Sequence, residues 1–172
     1  MTCIVGISDG SNVYIGGDRG SSDGTSILPL TRPKVKRCGD YLIGYAGSQG
    51  IGELAHFIDL PPINKNIEKT LRTTFISTLK DAIEQYGNAS YLEDNSTDWL
   101  LGVNGRLFEI SSEDWHIAEF EYSAIGTGGP IALGSLHTSR KWQDNEKRIR
   151  YALQAAVDIS PTCIDPIDIY NV

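Results

Sequence analysis

The sequence has 172 residues, of which 40% are hydrophobic and 22% are charged, and its formal net charge is −7. This length suits one domain, residues 1–172, with a core of its own. The acidic balance argues against nucleic acid as a main partner, because phosphate binding requires a basic face. We find neither a signal-peptide pattern nor an apolar run near ~18 residues, so we expect a cytoplasmic protein without a membrane partner.

The first fifty residues are typical of antiparallel strands joined by tight turns. Arg19–Ser26 is rich in Gly, Ser and Asp and is predicted to be a loop. The turn signals Asp9–Asn12 and Gly39-Asp40 predict two hairpins, the first of which ends at Asp18. The predicted strands are Cys3–Ser8, Val13–Gly17, Ile27–Leu30 (a brief extended piece), Lys34–Cys38 and Tyr41–Ala46.

Helical spacing of apolar residues begins at Ser48. It predicts one helix over Ser48–Leu60, before Pro61-Pro62, and a longer one over Asn66–Tyr86, ended by Gly87-Asn88. Asn88–Asp98 is predicted to be a polar loop.

Strands and helices alternate in blocks through the rest of the chain. Asn104-Gly105 is the strongest short hairpin signal in the sequence. We predict strands at Trp99–Val103, Arg106–Ile110, Tyr122–Ile125 and Ile167–Val172, and helices at Pro130–Ser139 and Asp144–Ile159. Helices placed between blocks of antiparallel strands predict an α+β fold, a four-layer αββα sandwich of two antiparallel sheets between helices.

Thr2 is the first candidate for chemistry, because a small residue after Met1 favours removal of that Met. A terminal Thr carries a hydroxyl nucleophile and an α-amine base in one residue, and such an amine titrates near 7.7–8.0. Many proteins begin Met-Thr and make no use of it, so Thr2 needs support from the rest of the chain.

Four further residues are candidates, two because the predicted hairpins bring them toward Thr2 and two because they lie at strand-to-helix turns. The Lys34 ammonium would lower the amine's pKa, because a like charge disfavours the protonated amine, and the Asp18 carboxylate would hold Lys34 in place. Gly47 offers an N–H to an oxyanion, and Thr127 offers a hydroxyl between glycines. The alternative is that Asp18 is a turn residue, Lys34 part of a solvated basic face, and the glycines around Thr127 a packing feature.

Sites of other kinds are not indicated. The three cysteines, Cys3, Cys38 and Cys163, are widely spaced without a CxxC pair, which favours buried thiols. The histidines lack ligand-like spacing, so we predict no metal. Ile131 stands where a dinucleotide-binding loop after Gly126 requires Gly, and we predict no cofactor.

The sequence resembles proteasome β-type N-terminal nucleophile hydrolases, closest to the bacterial HslV-type threonine peptidase. The resemblance covers nearly the whole chain in the right order and includes the spacing of residues 2, 18 and 34 once Met1 is removed. The segments that carry it are Thr2-Cys3-Ile4-Val5, Ile15-Gly16-Gly17-Asp18, Arg32-Pro33-Lys34-Val35-Lys36-Arg37, Ile43-Gly44-Tyr45-Ala46-Gly47 and residues 124–133, Ala-Ile-Gly-Thr-Gly-Gly-Pro-Ile-Ala-Leu.

The resemblance implies roles residue by residue. It implies Thr2 as nucleophile, Asp18 and Lys34 as its supporting pair, and Gly47 as the oxyanion donor. Thr127 stands where the family usually has Ser, and Cys3 replaces the usual second Thr. Ser22 matches a position whose backbone binds an extended peptide. The family's late Asp-and-hydroxyl pair is placed at Asp158 with Thr162, with Asp165 as a rival.

The resemblance also implies partners. Members of the family work as closed rings around a chamber, so we expect a homo-oligomeric ring, a polypeptide substrate and, for the HslV type, an ATP-dependent unfoldase. Two alternatives stay open: an inactive ring-forming structural or regulatory subunit, and a hydrolase of the same fold that acts on a small amide.

Overall fold

The structure is a computed structural model that describes residues 1–86 and 96–172. Its strands are β1 (Ile4–Ser8), β2 (Val13–Asp18), β3 (Gly20–Ser22), β4 (Ile27–Pro29), β5 (Val35–Cys38), β6 (Tyr41–Ala46), β7 (Asp98–Val103), β8 (Arg106–Ser111), β9 (Ile117–Phe120), β10 (Tyr122–Ile125) and β11 (Ile167–Asn171). Its helices are α1 (Gln49–Leu54), α2 (Ile67–Thr70), α3 (Ile76–Tyr86), α4 (Gly129–Thr138) and α5 (Asn145–Ile159), with one wider π-type turn, Leu71–Phe75, joining α2 to α3.

Two antiparallel sheets form the centre of the molecule. One sheet has the strand order β10-β1-β2-β11, and the other has the order β5-β6-β7-β8-β9. A small separate ribbon pairs β3 with β4. Helices α4 and α5 pack on the four-stranded sheet, whereas α1 and the α2–α3 helix pack on the five-stranded sheet. The four-layer αββα prediction is therefore confirmed.

The strands have apolar residues on both faces because each sheet is covered on both sides. On β1, Val5 faces the α4–α5 layer while Ile4 faces the other sheet. On β6, Ile43 faces α1–α3 while Leu42 lies between the sheets. This alternation follows from the two-residue repeat of a strand.

Glycines let the two sheets approach closely. A Cβ on Gly44 would lie 2.6 Å from Cγ2 of Ile4 and 3.2 Å from Val35. A Cβ on Gly102 would lie 2.8 Å from Val13 in the same layer. A larger residue at either position would force the sheets apart.

Three boundaries differ from the sequence predictions. The predicted loop Arg19–Ser26 contains β3, which exists through its pairing with β4. The predicted loop at Asn88–Asp98 ends in β7, which begins at Asp98, and the predicted helix over Ser48–Leu60 ends at Leu54. The helix end predicted at Gly87-Asn88 lies outside the described residues.

Strand β9 was not predicted. It holds only four residues, Ile117–Phe120, and it pairs with β8 at the edge of the sheet. A strand this short, carrying Glu119, has no clear periodicity of its own.

Helix starts follow local rules. The Asp144 side chain accepts a hydrogen bond from Lys147 N at 2.9 Å at the start of α5. At the start of α2, the Asn66 side chain accepts one from Lys69 N at 3.0 Å. Pro130 lies in the first turn of α4.

None of the helices described here combines the length and apolarity that a membrane crossing needs.

We predict that Gly44→Ala destabilises the protein by about 1–3 kcal/mol, because the new methyl group overpacks the layer between the sheets. Urea unfolding followed by circular dichroism measures this. Gly50→Ala is the matched control, since a Cβ there meets nothing within 4 Å and helix propensity favours Ala. Equal stability of the two variants would contradict the close packing of the sheets.

Candidate active site

A buried cluster joins Thr2, Asp18 and Lys34. Lys34 Nζ donates a hydrogen bond to Thr2 Oγ1 at 2.7 Å and lies 3.2 Å from Asp18 Oδ1. Thr2 and Lys34 are each 3% exposed and Asp18 is 0% exposed. The structure thus brings together the three residues that were predicted to meet.

The strand pairing explains the proximity of Thr2 and Asp18. Ile4 lies opposite Gly17 in the register of β1 and β2, so Asp18 lies beside the residues that precede β1. Lys34 comes from the other sheet, directly before β5. The cluster therefore lies where the ends of the two sheets meet.

The Asp18 carboxylate is held by backbone donors as well as by Lys34. Its Oδ1 accepts the Cys3 N–H at 2.9 Å, and its Oδ2 accepts the Gly20 N–H at 2.8 Å and the Ile164 N–H at 3.4 Å. These bonds satisfy a carboxylate that is fully shielded from water. They also place Asp18 where it can hold Lys34 against Thr2.

Two opposing effects act on Lys34. Burial lowers the pKa of Lys34 below its ordinary value, because a charged ammonium loses its hydration. The Asp18 carboxylate opposes this shift by favouring the charged form. An ammonium held in this way can donate to the Thr2 oxygen and stabilise negative charge on it.

The Thr2 nitrogen faces a second polar group. Thr2 N donates to Thr127 Oγ1 at 3.3 Å, and Thr127 Oγ1 lies 2.7 Å from Thr162 Oγ1. Thr162 Oγ1 in turn lies 2.8 Å from Ser160 Oγ. With Met1 in place, the Thr2 hydroxyl donates to the Met1 carbonyl oxygen. Removal of Met1 would turn Thr2 N into an amine at the end of this hydroxyl chain.

Of the three candidates late in the chain, Thr162 lies beside Thr127 and the two aspartates do not. Thr162 reaches Thr127, as described above, whereas Asp158 lies exposed on α5 and accepts a hydrogen bond from Gln154 at 2.8 Å. Asp165 is also exposed. The structure therefore does not bring Asp158 to Thr2. The Asp158 side chain is on the exposed side of α5, where it bonds to Gln154 one helical turn earlier. Ser160 was not predicted, and its only sequence signal is its position two residues before Thr162.

Gly47 lies at the rim of the cluster with a positive φ of 116°. A Cβ at this position would lie 2.5 Å from the Ser96 carbonyl oxygen, so the conformation requires glycine. Among residues 1–86 and 96–172, no atom accepts a hydrogen bond from the Gly47 N–H. Gly47 and Thr2 line the same cleft.

The cleft has a volume of about 480 Å³. Ser22, predicted to bind substrate, lies on its wall in β3. A polar network that was not predicted lies beside it: Ser21 Oγ donates to Gln49 at 3.1 Å, and Gln49 and Tyr45 both donate to Glu53 at 3.2 Å. The i,i+4 spacing of Gln49 and Glu53 on a helix was the available signal.

Two thiols pack below the Thr127 turn. Cys3 and Cys163 are buried and free, as predicted, while Cys38 is half-buried. A Cβ on Gly128 would lie 2.6 Å from Cys163 Sγ and 2.8 Å from Cys3 Cβ. A hydrogen bond from Cys3 lowers the pKa of Cys163 to about 7. The same bond, together with burial, raises the pKa of Cys3.

Comparison with known proteins identifies the family. The chain is 30% identical over 149 residues to the proteasome subunit beta of Nanoarchaeum equitans (strain Kin4-M), which covers 79% of this chain and 72% of that relative. The chain belongs to the proteasome subunit beta family. The resemblance seen in the sequence is thereby confirmed. No protein-family model matches the chain.

Solved structures of proteasome-like proteins share the fold. The BPH protein of Thiobacillus denitrificans, in complex with epoxomicin, superposes with a TM-score of 0.82 at 20% identity, covering 99% of this chain and 98% of that one. The HslV of Trypanosoma brucei gives a TM-score of 0.72 at 22% identity, with the same coverage. At such identities the likeness establishes the fold alone.

We predict that Asp18→Asn destabilises the protein by about 3 kcal/mol, because it leaves the buried Lys34 ammonium without its counter-charge. Asp158→Asn is the matched control on an exposed position and is expected to change stability by less than about 0.5 kcal/mol. Urea unfolding of both variants measures the difference. A small effect of Asp18→Asn would show that the ion pair does not organise this region.

Proposed function

We propose that the chain is a threonine peptidase that uses Thr2 as its nucleophile after removal of Met1. The observation that carries the proposal is the 2.7 Å hydrogen bond from the buried Lys34 ammonium to Thr2 Oγ1, supported by Asp18. A threonine with a purely structural role has no need of a buried cation on its hydroxyl. Membership of the proteasome subunit beta family supports the same reading.

The reaction begins when Thr2 Oγ attacks the carbonyl carbon of a peptide bond. The Thr2 hydroxyl proton passes to the free α-amine, and the carbonyl oxygen takes the negative charge. The Gly47 N–H is the proposed donor to that oxygen. Lys34 lowers the energy of the developing negative charge on Oγ, because it is a cation within hydrogen-bond distance.

Collapse of this intermediate breaks the carbon–nitrogen bond. The leaving nitrogen takes the proton from the α-amine, which leaves an ester on Thr2. Water then attacks the ester with the amine again as base, and this step releases the second product and restores the Thr2 hydroxyl. Thr127, with Thr162 behind it, would hold the amine in position for both proton transfers.

The cleft suits an extended peptide. Ser22 in β3 and the Gly47 turn both line it, and backbone pairing to a strand is a general mode of peptide binding. We propose a polypeptide substrate, a homo-oligomeric ring that encloses the cleft, and delivery by an ATP-dependent unfoldase. No cofactor or metal enters the proposed chemistry.

We predict that the purified protein loses the mass of one Met and then gains a single adduct with an epoxyketone such as epoxomicin, as measured by intact mass spectrometry. The free Thr2 amine and hydroxyl are the expected reactive groups. Thr2→Ala is expected to take no adduct and to lose turnover of fluorogenic peptides while keeping its assembly state.

The outcomes separate the three functions. Turnover retained in Thr2→Ala would end the peptidase proposal. A processed chain that takes no adduct would favour an inactive structural subunit. An adduct with hydrolysis of simple amides, and none of peptides, would favour the small-amide hydrolase.

We predict that Thr127→Val lowers kcat on peptides by about 10–100-fold with little change in KM, because it removes the acceptor that positions the Thr2 nitrogen. Thr127→Ser is the matched control, since it keeps the hydroxyl and should retain most of the activity. Equal loss in both variants would indicate that the Thr127 methyl group, through packing, is what matters.

A further inference from the structure

Two cysteines each follow a residue of the candidate active site. Cys3 directly follows Thr2 and precedes β1, and Cys163 directly follows Thr162 in the segment between α5 and β11. Thr2 N and Thr162 Oγ1 both hydrogen-bond to the Thr127 hydroxyl. The two cysteines therefore bring together, on the buried side, the same two segments that the Thr127 hydroxyl brings together at the site.

The two thiols meet in the apolar layer under α4 and α5. Cys3 is 0% exposed and Cys163 is 2% exposed, and both belong to the cluster between these helices and the four-stranded sheet. Their sulfur atoms are close enough for the Cys3 thiol to hydrogen-bond to Cys163. Sulfur atoms at such a separation need only a small movement to form a disulfide.

Gly128 leaves the room in which the thiols meet. A Cβ on Gly128 would lie 2.6 Å from Cys163 Sγ and 2.8 Å from Cys3 Cβ, with Ala156 next at 3.2 Å. The φ and ψ of Gly128 are −81° and −9°, a conformation that residues with side chains also adopt. The backbone therefore does not require glycine here, whereas the contact between the two cysteines does.

The two thiols differ in acidity. The hydrogen bond from Cys3 lowers the pKa of Cys163 to about 7, so a large part of Cys163 is thiolate near neutral pH. The same bond and burial raise the pKa of Cys3. The residues on either side of Cys163, Thr162 and Ile164, are half-exposed, so a small oxidant reaches the thiolate after a small displacement of one surface segment. A thiolate beside a neutral thiol is the arrangement of a reactive cysteine with its resolving partner.

We propose that Cys3 and Cys163 form a reversible disulfide when the protein meets a peroxide, and that this bond lowers the activity of Thr2 by displacing Thr162. No other part of the site needs to change for this to happen. The effect on turnover rests on the proposed function, whereas the disulfide itself does not.

The oxidation proceeds in two steps. The Cys163 thiolate attacks one oxygen of hydrogen peroxide and breaks the O–O bond, which gives a sulfenic acid on Cys163 and hydroxide. The hydroxide takes up the proton that Cys163 had released and becomes water. The Cys3 sulfur then displaces the sulfenic hydroxyl, which leaves with the Cys3 proton as a second water. One peroxide is thus reduced while two thiols are oxidised, and a dithiol such as dithiothreitol reverses the bond by exchange.

The disulfide acts on the site through Thr162. An S–S bond of about 2 Å is shorter than the contact between two hydrogen-bonded thiols, so its formation draws the Cys163 segment toward β1. Thr162 moves with its neighbour, and its 2.7 Å hydrogen bond to Thr127 is disturbed. Thr127 then loses the group that fixes its hydroxyl beside the Thr2 nitrogen.

Mass spectrometry detects the disulfide without any assay of activity. The Cys38→Ser variant removes the half-buried third thiol, so that Cys3 and Cys163 remain. After hydrogen peroxide, denaturation and alkylation, we expect a chain that is lighter by two hydrogen atoms and takes no alkyl group. Dithiothreitol is expected to restore two thiols that alkylate. A digest without reductant is expected to link the peptide of Cys3 to that of Cys163.

Gly128→Ala tests the geometry, because its methyl group would occupy the space that the two thiols share. We expect this variant to form the disulfide about tenfold more slowly or worse. Gly134→Ala is the matched control in α4, since a Cβ there meets nothing within 4 Å, and it should oxidise like the unmodified chain. Circular dichroism and Tm establish folding. If Gly128→Ala does not fold, Cys163→Ser is examined instead, and its Cys3 is expected to stay a free thiol under peroxide.

Peptide turnover tests the effect on the site. In the Cys38→Ser chain, oxidation is expected to lower turnover of a fluorogenic peptide by about tenfold or more, because the hydroxyl that positions the amine is displaced. Dithiothreitol is expected to restore it. Cys163→Ser in the same background is the matched control, which is expected to keep its turnover through the same treatment.

Oxidation without a bond between the two sulfurs would overturn the proposal, whether both thiols stay free or each is converted singly to sulfinic acid. A disulfide between two chains, with none within a chain, would contradict the geometry. A disulfide within the chain that leaves turnover unchanged would contradict the effect on Thr2. The mass measurements are repeated in Thr2→Ala, where the disulfide is still expected, so that failure of the peptidase proposal is distinguished from failure of this one.

Discussion

The organisation of the site depends on one buried carboxylate. Asp18 is fully shielded from water and binds Lys34 together with the backbone N–H groups of Cys3, Gly20 and Ile164. An isolated charge in such a position is strongly unfavourable, and only this set of donors makes it tolerable. The same bonds tie the start of β1 to β3 and to the segment before β11. The stability of this part of the fold and the reactivity of Thr2 therefore both depend on the Asp18 side chain.

The sheets provide the rigid frame for this carboxylate. The register of β1 and β2 sets the position of Asp18 relative to Thr2, and Lys34 approaches from the second sheet. Small residues such as Gly44 keep the sheets close enough for that approach. Groups fixed in this way need little rearrangement when charge develops, which is the usual basis of catalysis by preorganised dipoles and charges.

The surfaces follow from the same architecture. Two sheets packed between helix layers have their faces covered and their edges open, so the edges are where another chain can bind.

The sequence alone was sufficient for features encoded by neighbouring residues. The Asn104-Gly105 turn has the positive φ values, 46° and 73°, that its hairpin requires, and the order of strand and helix blocks predicted the layered core. The resemblance to a known family, through the spacing of residues 2, 18 and 34, marked the three side chains that meet.

Only the tertiary structure decided features that depend on distant partners. Strands β3 and β9 form because a partner strand is in place, and each is too short to show a clear periodicity of its own. The choice of Thr162 over Asp158 beside Thr127 depends on how the segment after α5 folds back toward β1, a path that local propensity does not encode.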